Sequence, residues 1–332
     1  MRQLVSVVVP AYNVGDRIEG SLSSLLAQDY DPIEIIVIDD ASSDGTAEKA
    51  DGLLRAGGRP YRISRHARNL GLSAARNAGL RVANGGYVLF MDADDRSDAG
   101  FISTLRGAIA KNDSDAALCG FRDYFEDTGL EKPVPITLDT SVTYPGEELT
   151  FKRILKHFGS VVTTLFKTSF LREARLEFTE KCRFGEDYEF TVKAFSRCRQ
   201  VAVSPGCPYV YVHHGGNMSY SSLSSKETRL RRYSNITAAT LRIANYIKEH
   251  STSPKLLDMA DNLIMPEYFM RVLTLAAKEG DREKFNRALA SPDARRLLLA
   301  TRKYAARKPE LFLKAMCILA SPKLFYRVKS RS

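Results

Sequence analysis

The sequence predicts an α/β fold with a mostly parallel sheet flanked by helices, followed by an all-helical C-terminal region. Two observations support this prediction. Up to about Asp98, short β-branched apolar runs alternate with segments whose apolar residues recur at helical spacing, which is typical of strand-helix-strand units. After Ser221 the strand patterns stop, and amphipathic helical segments continue to the end of the sequence.

The first 98 residues contain four predicted strands. The run Val5–Val9 is continuous and β-branched, as expected for a strand that is buried on both faces of a sheet. Ile18, Leu22 and Leu25 then recur at helical spacing and form one apolar stripe. The other predicted strands are Ile35–Ile38, Tyr61–Ser64 and Tyr87–Met91. Two further helices are expected: one is capped by Ser43, with Asp44 behind it, and runs to about Leu54, and the other is capped by Ser73 and runs to about Val82.

The pattern is looser between Asp98 and about Val212. The stretch Asp123–Pro145 is polar and carries three prolines, so we expect a long loop, and loops of that length are usually functional. The other predicted elements of this part are helices at Phe101–Ala110 and Asp187–Phe195, and strands at Ala116–Phe121, near Val201 and near Val210. The C-terminal helices are expected at Leu223–Ile247, Pro254–Lys278, Arg282–Ala290, Ala294–Ala305 and Leu311–Leu319.

Composition excludes several classes of protein. The chain of 332 residues is 44% hydrophobic with ordinary charge content, so disordered, collagen-like and disulfide-scaffold classes do not fit. No apolar run reaches the roughly 18–20 residues of a membrane span, and Leu4–Val9 is too short for a signal peptide. Five cysteines without a C-x-x-C pair favour reduced thiols. We therefore expect a cytoplasmic protein.

Polar clusters follow the predicted strands of the first part of the chain. They are Pro10-Ala11-Tyr12-Asn13, Asp39–Thr46, Arg76–Gly79 on a helix, and Asp92–Asp95. Each one alone could be a turn or a helix cap. In open parallel sheets, however, ligands bind beyond the carboxyl ends of the strands, so four such clusters together predict one binding crevice.

The cluster Asp92-Ala93-Asp94-Asp95 directly follows an apolar strand. Its three carboxylates repel one another, and a hard divalent cation would relieve that repulsion. Because Mg²⁺ and Mn²⁺ prefer one or two carboxylates plus ligand phosphates, we expect a site for a metal–diphosphate complex. Neither G-x-G-x-x-G nor G-x-x-x-x-G-K-[ST] occurs, which argues against a dinucleotide dehydrogenase and a P-loop ATPase.

These motifs, in this order, resemble those of the family-two glycosyltransferases of GT-A fold. The resemblance rests on Val5–Asn13, Val37–Thr46, Asn69-x-Gly71-x-x-x-Ala75-Arg76-Asn77-x-Gly79 and Phe90–Asp95. It is specific over about residues 3–98 and continues more weakly to about 220. It implies a nucleotide-sugar-binding half at residues 1–98 and an acceptor-binding half at 99–221. It gives little guidance for the basic helical region at 222–332, which the residue pattern predicts.

The resemblance implies roles for the residues of the crevice. Tyr12 would stack on uracil, Asp39 or Asp40 would accept from its ring N–H, and Arg76 would lie near the base and phosphates. Asp94 would ligate Mn²⁺ or Mg²⁺, and Asp92 would contact the ribose or the metal. The full nucleotide-binding set is Pro10, Ala11, Tyr12, Asn13, Asp39, Asp40, Arg76, Asp92 and Ala93, and the metal set is Asp92, Asp94 and His214.

A second acidic cluster, Phe184–Phe190, resembles the family's Glu-Asp motif at a helix start. The helix dipole alone would also favour carboxylates there. The resemblance implies that Asp187 is the general base for an inverting transfer. It also implies that Glu186 orients or binds the acceptor and that Asp95 supports the metal or faces the acceptor.

The segment Tyr209–Ser219 resembles a region in which relatives carry Tyr, Arg, often His, and then Ser. Val212 stands where an Arg is common, so a phosphate contact at that position is in doubt. Either His213 or His214 is expected at the metal or diphosphate. A polar loop without such a role is the alternative.

The charge of +10 is unevenly distributed. Residues 1–225 hold 26 basic and 29 acidic side chains, a net of −3, whereas residues 226–332 hold 23 and 10, a net of +13. Three explanations stay open for the basic region, namely attachment to an anionic membrane surface, a helical bundle with solvated basic faces, and an anionic acceptor. Nucleic acid is the weakest partner because no binding motif accompanies the charge. A homo-oligomer is also left open.

The function predicted from the sequence is therefore an inverting, metal-dependent glycosyltransferase. It would use a nucleotide sugar, with UDP as the expected nucleotide, and a glycan or lipid-linked acceptor in surface polysaccharide or glycoconjugate biosynthesis. A sugar-nucleotide nucleotidyltransferase is one alternative, although Tyr12–Gly15 lacks its glycine-rich turn. A non-catalytic glycan- or membrane-binding module is the other.

Overall fold

The computed structural model describes residues 3–156, 160–215 and 225–330. The chain forms two compact units. The first comprises Met1–Leu149 and His157–Asn217, and the second Thr150–Lys156 and Met218–Ser332. The domain boundary expected at residues 221 and 222 lies outside the described residues, as does the start of the helix expected at Leu223.

The first unit is built around an eight-stranded sheet. Its strands are β1 (Val5–Ala11), β2 (Ile33–Asp39), β3 (Tyr61–Arg65), β4 (Tyr87–Phe90), β6 (Ala116–Leu118), β9 (Thr143–Pro145), β10 (Thr164–Lys167) and β11 (Gln200–Val203). The order is β3-β2-β1-β4-β10-β6-β11-β9, and β9 and β10 run against the other six. The predicted mostly parallel sheet is therefore confirmed.

A smaller sheet of four strands lies in the same unit. Its strands are β5 (Arg96–Ser97), β7 (Phe121–Phe125), β8 (Leu130–Val134) and β12 (Tyr209–His213), in the order β5-β12-β7-β8. The expectation of a loop over Asp123–Pro145 is wrong, because β8, β9 and most of β7 lie in it. Gly129, at φ +66°, closes the hairpin between β7 and β8, and Pro133 is tolerated because β8 is an edge strand.

Helices of the first unit cover the sheet. They are α1 (Ile18–Leu26), α2 (Thr46–Gly57), α3 (Leu72–Val82), α4 (Phe101–Asn112), α6 (Thr168–Glu173) and α7 (Glu186–Arg197). A further helix, α5 (Gly146–Leu155), begins in the first unit and ends in the second. Of the residues expected at the start of α2, Asp44 accepts a hydrogen bond from the amide of Thr46 (3.1 Å), whereas Ser73, expected as a cap, lies inside α3. In α3, a Cβ on Gly79 would overlap Val8 of β1, so glycine permits the close packing that holds α3 on the sheet.

The described part of the second unit is helical. Its helices are α8 (Lys226–His250), α9 (Pro254–Met259), α10 (Met265–Glu279), α11 (Arg282–Leu289), α12 (Ala294–Ala300), α13 (Pro309–Ala320) and α14 (Pro322–Ser330), with a π-helical turn over Ala260–Ile264 between α9 and α10. Leu273 and Ala276 of α10 pack with Ala315 and Ile318 of α13, and all four are fully buried. The predicted helical C-terminal region is confirmed. Among the described helices, none combines the length and apolar content required to cross a bilayer.

Candidate active site

The ends of the parallel strands meet at one edge of the large sheet. Ala11 at the end of β1 lies opposite Asp39 at the end of β2, and Val8 of β1 lies opposite Phe90 of β4. The amide of Asp40 then donates to the carbonyl of Ala11 (2.8 Å). The polar clusters predicted at three strand ends are therefore neighbours.

The turn after β1 is hydrogen-bonded to the turn after β2. Asn13 has φ +50°, a left-handed conformation that Asn tolerates better than most residues. Its amide donates to Ser42 Oγ (2.9 Å), and its Oδ1 accepts from the amide of Ser43 (2.9 Å). Tyr12 at the tip of this turn is 49% exposed and is therefore available to a planar ligand.

Asp39 and Asp40 are both buried and both have protein partners. Asp39 Oδ1 accepts from the amide of Ser42 (3.0 Å), and its Oδ2 lies 3.0 Å from Arg65 Nε. Asp40 accepts from the amides of Leu70 (2.9 Å) and Gly71 (2.7 Å), directly before α3. Both carboxylates thus fix the turns around the crevice, while Asp39 Oδ2 is buried and makes no hydrogen bond within the described residues. The contact of Asp39 or Asp40 with a base stays a prediction.

The three carboxylates after β4 have different surroundings. Asp95 is fully buried and accepts hydrogen bonds from the Tyr209 hydroxyl and from the amide of Val212 (2.8 Å). Burial and the charges of Asp92 and Asp94 raise the pKa of Asp95 well above its usual value. Asp95 thus ties β12 to the crevice, and its expected role at the metal or at the acceptor stays a prediction.

Asp94 lies next to a histidine. Its Oδ2 is 2.9 Å from His214 Nε2, and burial and the charge of Asp92 raise its pKa while His214 opposes the shift. The adjacent His213 instead places Nε2 2.6 Å from Asp123 of β7. Of the two histidines that the sequence left as alternatives, His214 is therefore the one beside the acidic motif. The rest of the segment, from Gly216 to Ser219, lies outside the described residues.

Arg76 of α3 joins the acidic motif to the start of α7. Its side chain is almost completely buried, with Nη2 2.8 Å from Asp92 Oδ1 and Nη1 3.3 Å from Glu186 Oε1. Burial alone would lower the pKa of Arg76, but the two carboxylates reverse this effect and the net shift is upward. The guanidinium also lies over the ring of Phe178, with 5.3 Å between Cζ and the ring centroid. Arg76 is thus fixed as a permanent cation between two carboxylates.

Glu186 and Asp187 occupy the first turn of α7. Gly185 precedes them with φ +85°, which glycine adopts without strain, and the helix begins directly after it. Glu186 is buried, and burial together with the charge of Asp187 raises its pKa to about 7. Asp187 is partly exposed, and its Oδ2 accepts from Ser160 Oγ (3.2 Å). The partly exposed carboxylate of the pair is the one able to meet a substrate.

Several residues at this site were not found from the sequence. Ser160, Phe178 and Asp123 have contacts with predicted site residues but belong to no recognisable motif. Glu126, at the hairpin after β7, forms two hydrogen bonds with Arg17 next to α1 (2.8 and 2.9 Å). These partners are 27 to 109 positions apart in the sequence, so only the fold brings them together.

The donor chemistry at Asp94 suits a divalent cation. A carboxylate with an imidazole nitrogen 2.9 Å away supplies oxygen and nitrogen ligands. The pKa of Asp94 is raised by burial and, secondly, by the charge of Asp92, and a cation would offset both effects. Within residues 3–156, 160–215 and 225–330, no group of three or more His, Cys, Asp or Glu side chains forms a ready-made metal cage. A cation that keeps few protein ligands and takes the rest from phosphates fits this donor set.

Solved structures of other proteins share this fold. Residues 1–349 of Staphylococcus aureus TarS, in complex with UDP-GlcNAc, match with a TM-score of 0.72 and 24% identity, covering 99% of this chain and 90% of that one. The mannosyltransferase PcManGT of Pyrobaculum calidifontis, in complex with GDP-Man and Mn²⁺, matches with a TM-score of 0.54 and 19% identity, covering 97% and 88%. At these identities the likeness establishes the GT-A fold.

Sequence comparison identifies the family. The uncharacterized glycosyltransferase EpsJ of Bacillus subtilis is 32% identical over 213 residues, which are 64% of this chain and 61% of that protein. The chain thus spans less than two thirds of that relative's length. The model of "Glycosyl transferase family 2" matches residues 6–174, just over half of the chain and all of the strand-end motifs described above. The chain therefore belongs to glycosyl transferase family 2.

Proposed function

We propose that this protein transfers a sugar from a nucleotide donor, with UDP as the expected nucleotide, to a hydroxyl group of a glycan or lipid-linked acceptor. Surface polysaccharide or glycoconjugate biosynthesis is the proposed setting. One observation above all supports the proposal. Arg76 contacts both Asp92 of the strand-end motif and Glu186 beside Asp187, which supports a proposed donor site and a proposed base in one crevice.

The nucleotide is proposed to bind at the turn after β1. The exposed ring of Tyr12 offers a face on which uracil stacks, and the backbone of Pro10 and Ala11 lies beside it. Asn13 holds this turn through Ser42 and Ser43 and is proposed to lie beside the nucleotide. Asp92 and the backbone of Ala93 are proposed to meet the ribose and diphosphate.

Asp94, with His214 and Asp92 beside it, is proposed to hold Mn²⁺ or Mg²⁺. The cation supplies Lewis-acid neutralisation of the charge that develops on the departing diphosphate. The residues of the chain hold the cation and keep the site in place. Asp94 and Asp92 would hold the cation that meets the diphosphate, and Arg76 keeps Asp92 in place through its 2.8 Å contact.

Asp187 is proposed as the general base. The acceptor hydroxyl attacks the anomeric carbon opposite the diphosphate, its proton passes to the Asp187 carboxylate, and the bond to the diphosphate breaks, so the configuration inverts. Ser160 and the amide of Tyr188 (2.6 Å) each donate to one oxygen of Asp187 and so orient it. Proton transfer to a base in hydrogen-bond reach contributes roughly 10²–10⁴-fold.

Glu186 is proposed to position the acceptor side of the crevice rather than to accept the proton. Its carboxyl is buried against Arg76, and its pKa of about 7 leaves it partly protonated at neutral pH. A group in that state can donate as well as accept a hydrogen bond.

The deciding experiment measures UDP release from a panel of UDP-sugars, with and without Mn²⁺, after a thermal-shift screen of nucleotide sugars has identified the donor. Metal-dependent release in the wild-type protein, lost in Asp187→Asn, is the expected result. Absence of both transfer and hydrolysis, together with absence of UDP binding, would refute the proposal. Release of pyrophosphate from a nucleoside triphosphate and a sugar phosphate would instead identify a nucleotidyltransferase.

A further inference from the structure

The last two helices expose apolar side chains. Three of the described large apolar side chains are more than half exposed, and all three lie on α13 and α14: Leu313 (60%), Leu324 (58%) and Val328 (54%). Single exposed leucines are ordinary on protein surfaces, whereas three within sixteen positions are a concentrated feature.

The exposed side chains of α14 form one face of a well-packed helix. Leu324 and Val328 are four positions apart and so lie one turn above the other. On the other side, Phe325 is only 7% exposed and stacks on Phe285 of α11, with 6.4 Å between ring centroids. Tyr326 contacts the ring of Phe285 edge-on, with 5.1 Å between ring centroids. The helix is therefore held to its own core, and the exposure of Leu324 and Val328 is set by that packing.

Basic residues stand directly beside the exposed apolar ones. Lys314 follows Leu313, while Lys323 and Arg327 precede Leu324 and Val328, and all three are exposed. We call these six residues the apolar-basic face. The one acidic residue of α13 and α14 is Glu310, at the start of α13.

In α11 and α12, which precede these two helices, basic side chains pair with acidic ones. In α11, Arg287 pairs with Glu283 one turn earlier, and in α12, Arg296 Nε lies 3.1 Å from Asp293 Oδ1. Such pairs are typical of a solvated helix surface. The apolar-basic face lacks acidic neighbours of this kind on its own helices, so its positive charge is directed outwards together with its apolar side chains.

We propose that the apolar-basic face docks the protein on an anionic lipid bilayer. Leucine and valine enter the boundary between headgroups and acyl chains, and the lysine and arginine ammonium and guanidinium groups meet lipid phosphates while their stems follow the apolar surface. An interfacial helix of this kind lies in the plane of the membrane and does not cross it.

A second copy of the chain fits the face less well. A symmetric contact places the same patch of both subunits together, so Lys323 and Arg327 would face like charges across the contact. Lysine is also depleted in protein–protein interfaces. Both arguments favour a negatively charged surface, and among such surfaces the apolar side chains favour lipid.

The test uses the full chain and vesicles of phosphatidylcholine with and without phosphatidylglycerol, in a sedimentation assay. Binding is expected only with the anionic lipid, and raised salt is expected to weaken it. Lys323→Gln with Arg327→Gln should lower the partition coefficient roughly 25-fold, because each basic residue near an anionic surface contributes about fivefold. The control is Arg282→Gln with Arg287→Gln on α11, which changes net charge equally and should leave binding within about twofold.

A second pair tests the apolar contribution. Leu324→Ser with Val328→Ser keeps the charge and should lower binding at least about tenfold, while the melting temperature stays close to that of the wild-type protein because both side chains are already exposed. No binding to anionic vesicles, or equal binding by all variants, would overturn the proposal. So would concentration-dependent self-association that the serine pair abolishes. Since no donor or acceptor is present, these outcomes are independent of the proposed glycosyl transfer.

Discussion

Arg76 Nη1 lies 3.3 Å from Glu186 Oε1, although the two residues are 110 positions apart in the sequence. The other guanidinium nitrogen of Arg76 lies 2.8 Å from Asp92. One buried cation therefore connects α3, the acidic motif after β4 and the start of α7. Three segments that the sequence presents as separate motifs depend on one another for charge balance.

The first prediction concerns the removal of this cation. Arg76→Met leaves Asp92 and Glu186 without their shared counter-charge, and breaking a buried ion pair in this way typically costs about 3–5 kcal/mol. The free energy of unfolding, measured by urea titration, should fall by that order. Arg81→Met is the matched control on the same helix, because Arg81 is 57% exposed and 3.9 Å from Glu177, and its effect should stay below about 1 kcal/mol. Equal losses in both variants would show that Arg76 is not the structural centre of the crevice.

The second prediction concerns pH. Glu186 has a pKa of about 7 in the folded protein against its usual 4.5, so between these values the folded state binds more protons than the unfolded state. The free energy of unfolding should therefore decrease as pH rises from about 4.5 to about 7, by up to about 3 kcal/mol. Urea titrations across this range in wild type and Glu186→Gln would measure the effect. The variant should have a flatter profile, and identical slopes would contradict the shifted pKa.

The third prediction separates a catalytic role of Asp187 from a role in UDP binding. Asp187→Asn should lower the rate of sugar transfer by roughly 10²–10⁴-fold and leave the affinity for UDP nearly unchanged, because Asp187 is proposed to act on the acceptor proton. Calorimetric titration with UDP and a UDP-release assay measure the two quantities. Ser160→Ala should give a smaller loss of rate, since it removes one donor to Asp187. A parallel loss of UDP binding in Asp187→Asn would assign it a structural role.

The fourth prediction distinguishes the two histidines. His214→Ala should weaken the Mn²⁺-dependent part of UDP affinity because His214 lies 2.9 Å from Asp94, and Asp94→Ala should abolish it. His213→Ala is the control, since His213 contacts Asp123 and stacks on Phe125 with 4.5 Å between ring centroids. Titration of UDP with and without Mn²⁺ tests all three variants. Unchanged metal dependence in Asp94→Ala would remove Asp94 from the proposed metal site.

The fifth prediction concerns the contact between Tyr12 and the nucleobase. Tyr12→Ala should weaken UDP binding roughly 5- to 100-fold, because stacking on an aromatic side chain contributes about 1–3 kcal/mol per base. Tyr12→Phe keeps the ring and should retain the affinity. Both variants should unfold like the wild-type protein, because the side chain is half exposed. Equal affinity in the alanine variant would place the base elsewhere.

Local patterns were sufficient to predict most of the fold. The buried run Val5–Val9 and the alternation that follows it predict the parallel strands, because each such strand is specified by its own residues. The hairpin of β7 and β8 was missed. Its side chains are only partly buried or exposed, so they carry no apolar run, and Pro133 on the edge resembles a loop residue.

The candidate site was predictable where a motif follows a strand, and less so where the partner is distant. Asp92–Asp95 could be singled out as a cluster. The family resemblance implied different roles for its members, but the residue pattern by itself did not distinguish them. The fold does so: Asp95 faces β12, Asp94 faces His214 and Asp92 faces Arg76. The burial of Asp39 and Asp40 likewise depends on Arg65 and on the start of α3, which no local pattern indicates.

The hydrogen bonds from Tyr209 and Val212 to Asp95 also have a consequence for protein synthesis. Their donors lie 114 and 117 positions after the carboxylate they satisfy. A nascent chain that has emerged only through α4 already contains the whole acidic motif but not yet the strand that completes it. During translation the Asp95 carboxylate therefore stays exposed to water until β12 has left the ribosome, and it can be buried only after that.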